Sequence, residues 1–209
     1  MKHLMNRIGS LLVILLTGCI SPYVERGDLP DFSSETADPG GSVLRAGKKV
    51  DLVEGNVDLH YALPDVELTD SKWMSFRFAK DGHVKIISVV PSIDTRICEQ
   101  QTHLFSDTAA IDPRVERITL SRDLPSAQER FADETGMENV RFLSDYKSGE
   151  FGRASGLLMK DTDLLARAIL VVDQNGVVKH LQIVSEMTRL PDIAKAVEVA
   201  NGLVGAESL

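Results

Sequence analysis

Residues 84–105 read VKIISVV, PSIDTRIC, EQQTHLF in three successive stretches. The first is an apolar, β-branched run of the kind that fills a central strand buried on both faces. The residues after the turn predict a helix over 95–111, with Ile97, Leu104, Phe105, Thr108 and Ile111 on roughly one face. The turn between them ends on Cys98, one of two cysteines in the chain. A thiol there sits in the first turn of the helix, where unsatisfied N–H groups and a partial positive charge favour an anion. Free cysteine, with a pKa of about 8.5, is a weak nucleophile until ionised, so the position suits a reactive sulfur. It suits an inert one equally, because a lone buried cysteine commonly acts as a small hydrophobe. Position alone does not decide between them.

Outward from this stretch the punctuation is regular. Residues 49–53 and 57–61, KVDLV and VDLHY, alternate apolar and polar around Glu54-Gly55-Asn56 and predict a hairpin. WMSFRF (73–78) reads as a short strand or helix. VERITL (115–120) is a strand. LPSAQERFADETG (124–136) is a helix with Ser121 or Asp123 as cap, Pro125 in its first turn and Gly136 as its stop. VRFLS (140–144) is a strand, and 150–157 has no decisive pattern. ARAILVVD and VVKHLQIV form a hairpin across Gln174-Asn175-Gly176, and 191–204 is an amphipathic helix. The class is therefore α/β, a mixed central sheet flanked by helices, in thioredoxin-like order.

The N-terminus has a different character. Lys2 and Arg7 precede the apolar run LLVILL (11–16) and the small residues Thr17 and Gly18, the three-part build of a secretory signal peptide. The run is far short of the roughly 18 residues that span a bilayer. LTGC (16–19) resembles the lipobox of bacterial lipoproteins, which implies cleavage after residue 18 and lipid on the sulfur of Cys19. Several acyl chains anchor firmly where one is marginal. The expected address is the bacterial cell envelope, on the periplasmic side of a membrane. Ile20 in place of the aspartate of inner-membrane retention favours the outer membrane. Residues 19–47 are rich in Pro, Gly, Ser and Asp without apolar period and read as a tether with a reach of roughly 30 Å. The folded domain is expected over 48–209.

Pro91, Thr95 and Cys98 match the pattern P-x-x-x-T-x-x-C of the peroxiredoxins. The octapeptide PSIDTRIC resembles their atypical two-cysteine thiol peroxidase branch. ITLSRDLPSAQERF, ENVRFLSD and LLARAILVVDQNG are similar to segments of the same branch in the same order, and the likeness is strong over 84–193. The resemblance implies a thiol-dependent peroxidase in which Cys98 attacks a peroxide and becomes a sulfenic acid. It implies that Thr95 hydrogen-bonds sulfur and peroxide, that Pro91 shields the sulfur, and that Arg167 supplies the fixed positive charge. One departure stands out. The branch carries a second, resolving cysteine where this chain has Ala132, within RFADETG. With Cys19 capped by lipid, the mature domain holds one thiol. Its reductant must then be an external thiol, thioredoxin-like, glutaredoxin-like or of low molecular weight.

Other chemistries find little support. A net charge of −8 with no run of Lys or Arg excludes a nucleic-acid surface. Five histidines without ligand spacing imply no metal site, and no cofactor motif is present. His103 reads as a solvated helix residue. The rival to an enzyme is a thioredoxin-fold envelope lipoprotein, impaired in turnover, that binds a partner or senses redox state. Loss of the resolving cysteine favours it; retention of Pro91, Thr95, Cys98 and Arg167 together opposes it. Peroxide and an external thiol are the expected partners, with the membrane through the lipid anchor and a homodimer left open.

Overall fold

The structure, a computed structural model, describes residues 29–78 and 82–206. The expected signal peptide (1–18) and Cys19 lie outside the described residues. In chain order the elements are β1 (Ser42–Arg45), β2 (Lys48–Asp51), β3 (Glu67–Asp70), β4 (Ser75–Arg77), β5 (Lys85–Val89), α1 (Arg96–Asp107), β6 (Glu116–Ser121), α2 (Pro125–Thr135), β7 (Arg141–Ser144), α3 (Glu150–Ser155), β8 (Ala168–Val172), β9 (Val178–Ile183) and α4 (Ile193–Ala206).

Seven strands form one sheet in the order β4-β3-β7-β6-β5-β8-β9. The strands β5, β6 and β7 run parallel, joined through α1 and α2, while β3, β8 and β9 pair antiparallel with their neighbours. The strand β5 lies between β6 and β8, and all five of its residues are buried. Successive side chains point to opposite faces. Ile86 packs with Cys98, Phe105, Ile169 and the α4 residues Ile193, Ala196 and Val197. Ile87 and Val89 pack on the other face with Phe151, Leu158 and Leu170. The turn after β5 therefore delivers Cys98 into the layer shared with α4.

Four local expectations are corrected. Residues 29–47 are not a free tether. Ser33 N donates to Leu190 O at 2.7 Å, Ala37 N to Ile183 O at 2.8 Å and Leu44 N to Ser185 O at 2.6 Å, so this arm is laid along the chain leaving β9. Such pairing uses backbone groups, which any side chain carries, so no apolar period is needed to specify it. The hairpin falls one element earlier than expected. The strands β1 and β2 pair across Ala46 and Gly47, both with positive φ, the geometry of a two-residue turn that matches strand twist. The helix α2 starts at Pro125 with Leu124 as N-cap and no side-chain cap bond, because Asp123 and Ser121 bond elsewhere. His103 is buried rather than solvated, its ring 6.2 Å from that of Phe131.

The arm and the segment that follows β2 both lie in close backbone contact with the C-terminal end of α3. Gly40 N donates to Gly156 O at 3.0 Å, and a Cβ on Gly55 would lie 2.0 Å from Arg153 O and 2.4 Å from Gly156 N. Those atoms are main chain and cannot swing aside. Gly55→Ala is therefore expected to lower stability by about 3 kcal/mol in urea unfolding. Gly47→Ala has open space around it but a φ of +76°, and should lose only about 1 kcal/mol. Equal losses at the two sites would mean that the contact with the end of α3 is not what constrains the chain at Gly55.

Candidate active site

The turn 91–95 ends β5 and places Thr95 at the N-cap of α1, three residues before Cys98. Cys98 is fully buried and, among the described residues, is the free cysteine. Two donors reach its sulfur. Thr95 Oγ1 lies 2.9 Å from Sγ, and Arg167 Nη2 lies 3.4 Å from it. The Thr95 hydroxyl is also 3.2 Å from Ser92 O. It has one proton, and an anionic sulfur is the stronger acceptor.

Arg167 immediately precedes β8 and is only 2% exposed. Its Nε donates to Met187 O at 3.0 Å and its Nη1 to Gln101 Oε1 at 2.6 Å. The planar guanidinium is thus fixed on three sides, with Nη2 aimed at the sulfur. Gln101 is held in turn by donating through Nε2 to Ser88 Oγ at 2.8 Å, on the central strand. Among the described residues no carboxylate pairs with Arg167. A buried cation without an anion is costly, and the atom available to balance it is the sulfur of Cys98.

A cleft of about 390 Å³ opens onto this group. Its walls are mainly apolar: Pro91, Ile97, Met159, Leu164 and Met187. Arg45 and Arg96 stand in its lining as well, Arg45 bonded to Asp161 at 2.8 Å. The cleft can hold a small peroxide or an organic chain. Preorganised donors at a buried sulfur can stabilise the charge that develops as an O–O bond breaks.

A family model described as Redoxin matches residues 60–199. The thiol peroxidase of Bacillus subtilis (strain 168) is 39% identical over 168 residues, 79% of this chain and 95% of that protein. The chain belongs to the thiol peroxidase branch of the peroxiredoxins. It is a peroxidase of thioredoxin-like fold. The thiol peroxidase of Halalkalibacterium halodurans is 44% identical over 138 residues, 66% of this chain and 78% of that one. Among solved structures, a peroxiredoxin-like protein from Aquifex aeolicus superposes with a TM-score of 0.74 at 29% identity, covering 80% of this chain and 99% of that chain.

In this peroxiredoxin the turn, helix and strand bring Pro91, Thr95, Cys98 and Arg167 to one cleft. Ala132 is not in it. That residue lies on α2 and lines a separate cleft with Asp70, Glu129 and Asp133. Sequence reasoning missed Gln101, Met187 and Arg45. Gln101 carries a faint signal, being one turn from Cys98 on the same helix, where i and i+3 share a face. Met187 acts through its carbonyl and carries no signal at all. Arg45 lay in the segment read as tether.

Arg167→Ala is expected to leave a folded protein whose reaction with hydrogen peroxide is about a hundredfold slower, a loss of about 3 kcal/mol. Gln101→Leu keeps the volume but frees one edge of the guanidinium, and should slow the same step by about tenfold. Stopped-flow measurement of thiol loss checks both. A change below about threefold in Arg167→Ala would show that the guanidinium does not serve the sulfur.

Proposed function

We propose that this chain is a lipid-anchored thiol peroxidase that works through the single cysteine Cys98 and is recycled by an external thiol. The supporting observation is the buried Arg167, whose guanidinium has the Cys98 sulfur, and no carboxylate among the described residues, to balance it. The Cys98 thiolate attacks the terminal oxygen of a hydroperoxide. An S–O bond forms, the O–O bond breaks, and water or an alcohol leaves after taking a proton. Thr95 and Arg167 hold the sulfur and the oxygen during this exchange, and Pro91 keeps bulk water from the nucleophile. The product is a sulfenic acid, the first step of cysteine oxidation.

Reduction takes two equivalents of thiol. The first attacks the sulfur of Cys98, releasing water and forming a mixed disulfide; the second frees Cys98 and leaves as the disulfide. The reductant is a thioredoxin-like or glutaredoxin-like protein or a small thiol. Ala132 occupies the position at which the branch carries its resolving cysteine, and Cys19 is taken up by lipid. The apolar cleft walls favour organic hydroperoxides beside hydrogen peroxide, and anchorage at a bilayer would put lipid hydroperoxides within reach.

Mass spectrometry of the full chain tests the chemistry. One equivalent of hydrogen peroxide should add one oxygen to Cys98, reversibly with dithiothreitol, and excess should add a second that dithiothreitol does not remove. Cys98→Ser should consume no peroxide while keeping its fold. An internal disulfide in the parent would disprove the single-cysteine mechanism. Retention of the thiol in peroxide would favour a module that binds without turnover. The anchor has its own test: Cys19→Ala should release the protein from the membrane fraction or block its processing, and an unmodified, unprocessed parent would remove the envelope address.

A further inference from the structure

Thr95 and Cys98 hold their positions through a turn whose anchor belongs to another element. Ser92 Oγ donates to Asp123 Oδ1 at 2.7 Å, and Ile93 N donates to Asp123 Oδ2 at 2.8 Å. Asp123 follows β6 and is itself tied at both ends. Its N–H donates to Ser121 Oγ at 3.3 Å, and Ser144 Oγ donates to its carbonyl. The constraint passes on from Ser92, whose carbonyl is 3.3 Å from Thr95 N and 3.2 Å from Thr95 Oγ1. That same hydroxyl is the one 2.9 Å from the Cys98 sulfur. A carboxylate bonded by two donors of one turn is a stronger and more directional tie than a neutral pair. The remaining side-chain link from α2 to this turn, Arg130 to Asp94 at 3.4 Å, is exposed on both sides and worth little.

We propose that Asp123 is a positioning residue of the peroxidase reaction, a latch that holds the 92–95 turn closed while Cys98 attacks and releases it for reduction. The second half rests on the external-thiol reading above. In the closed arrangement the Cys98 sulfur is fully buried. A small peroxide can enter the cleft. A reducing thiol, small or carried on a protein, must bring its own sulfur against that of Cys98, so that the S–S bond forms as S–O breaks and water leaves; with that sulfur fully buried and held by Thr95 and Arg167, this requires the turn to move. The bonds that must yield are those to Asp123, since they join the β5–α1 junction to the β6–α2 junction. Asp123 touches neither substrate nor sulfur. It acts through Ser92 and Thr95.

The two half-reactions separate this role from general support of the fold. Asp123→Asn retains the shape but removes the charge, and it keeps both contacts only if its amide nitrogen donates to Ser92 Oγ, so the tie becomes a weaker neutral one; Ser92→Ala removes one of the two bonds and leaves the carboxylate. Each is made in the full chain. Oxidation by hydrogen peroxide and reduction of the preformed sulfenic acid by dithiothreitol are timed by alkylation and mass. The latch predicts opposite effects in Asp123→Asn: oxidation slower by about tenfold, reduction faster by about threefold or more. Ser92→Ala should move both rates in the same directions by smaller factors, with the melting temperature near that of the parent. Unchanged rates, or both rates falling together with the melting temperature, would overturn the proposal. If dithiothreitol fails to reduce the parent's sulfenic acid, the external-thiol reading and the release role fall together. Asp123 as a positioning residue then stands or falls on the oxidation rate.

Discussion

The contact between the Arg167 guanidinium and the Cys98 sulfur organises the centre of this molecule. It joins the first turn of α1 to the start of β8 across the central strand, and it places a positive charge where water does not reach. A buried guanidinium must have its donors satisfied, and the surrounding sequence is shaped by that demand. Gln101 is fully buried on α1 because its amide takes one edge of the guanidinium and passes the bond on to Ser88. The chain after β9 must bring the carbonyl of Met187 to the other side. The buried face of α1 is therefore partly polar, with Gln101, Thr102 and His103 beside Cys98 and Phe105.

That demand also accounts for the position of the N-terminal arm. The segment leaving β9 supplies Met187 to the site, and its free backbone groups take up residues 33–44 as a neighbour. Through the hairpin of β1 and β2, Arg45 reaches the cleft that Pro91 and Ile97 also line, from more than forty residues away in sequence. A stretch with little hydrophobic content thus becomes part of the cleft wall by main-chain pairing.

Ala132, on α2, is half-buried, its methyl group packed against the core. On the single-cysteine reading proposed above, oxidation and reduction do not share one polypeptide. The contacts from Ser92 to Asp123 and from Asp94 to Arg130 tie the turn before α1 to the start of α2 and its approach.

The sequence by itself determined the sheet's central elements and, through the motif around Cys98, the family. The β-branched run at 84–90, the Pro125 and Gly136 boundaries of α2 and the QNG hairpin are local signals, fixed by backbone sterics and burial within a few residues. Pro91, Thr95 and Cys98 were picked out by a family pattern confined to one turn and the first turn of a helix, and Arg167 by likeness to a distant segment of the same family. Tertiary structure alone decided the rest. It made Asp123, one of two expected helix caps, an anchor of the active-site turn, buried Gln101 and His103 on α1 while Ile97 and Leu104 of the expected apolar face stay half-buried, and folded residues 29–47 onto the sheet edge. The reason is common to all three. Hydrogen-bond partners far apart in sequence are chosen by which groups meet in space, and neither composition nor period carries that information.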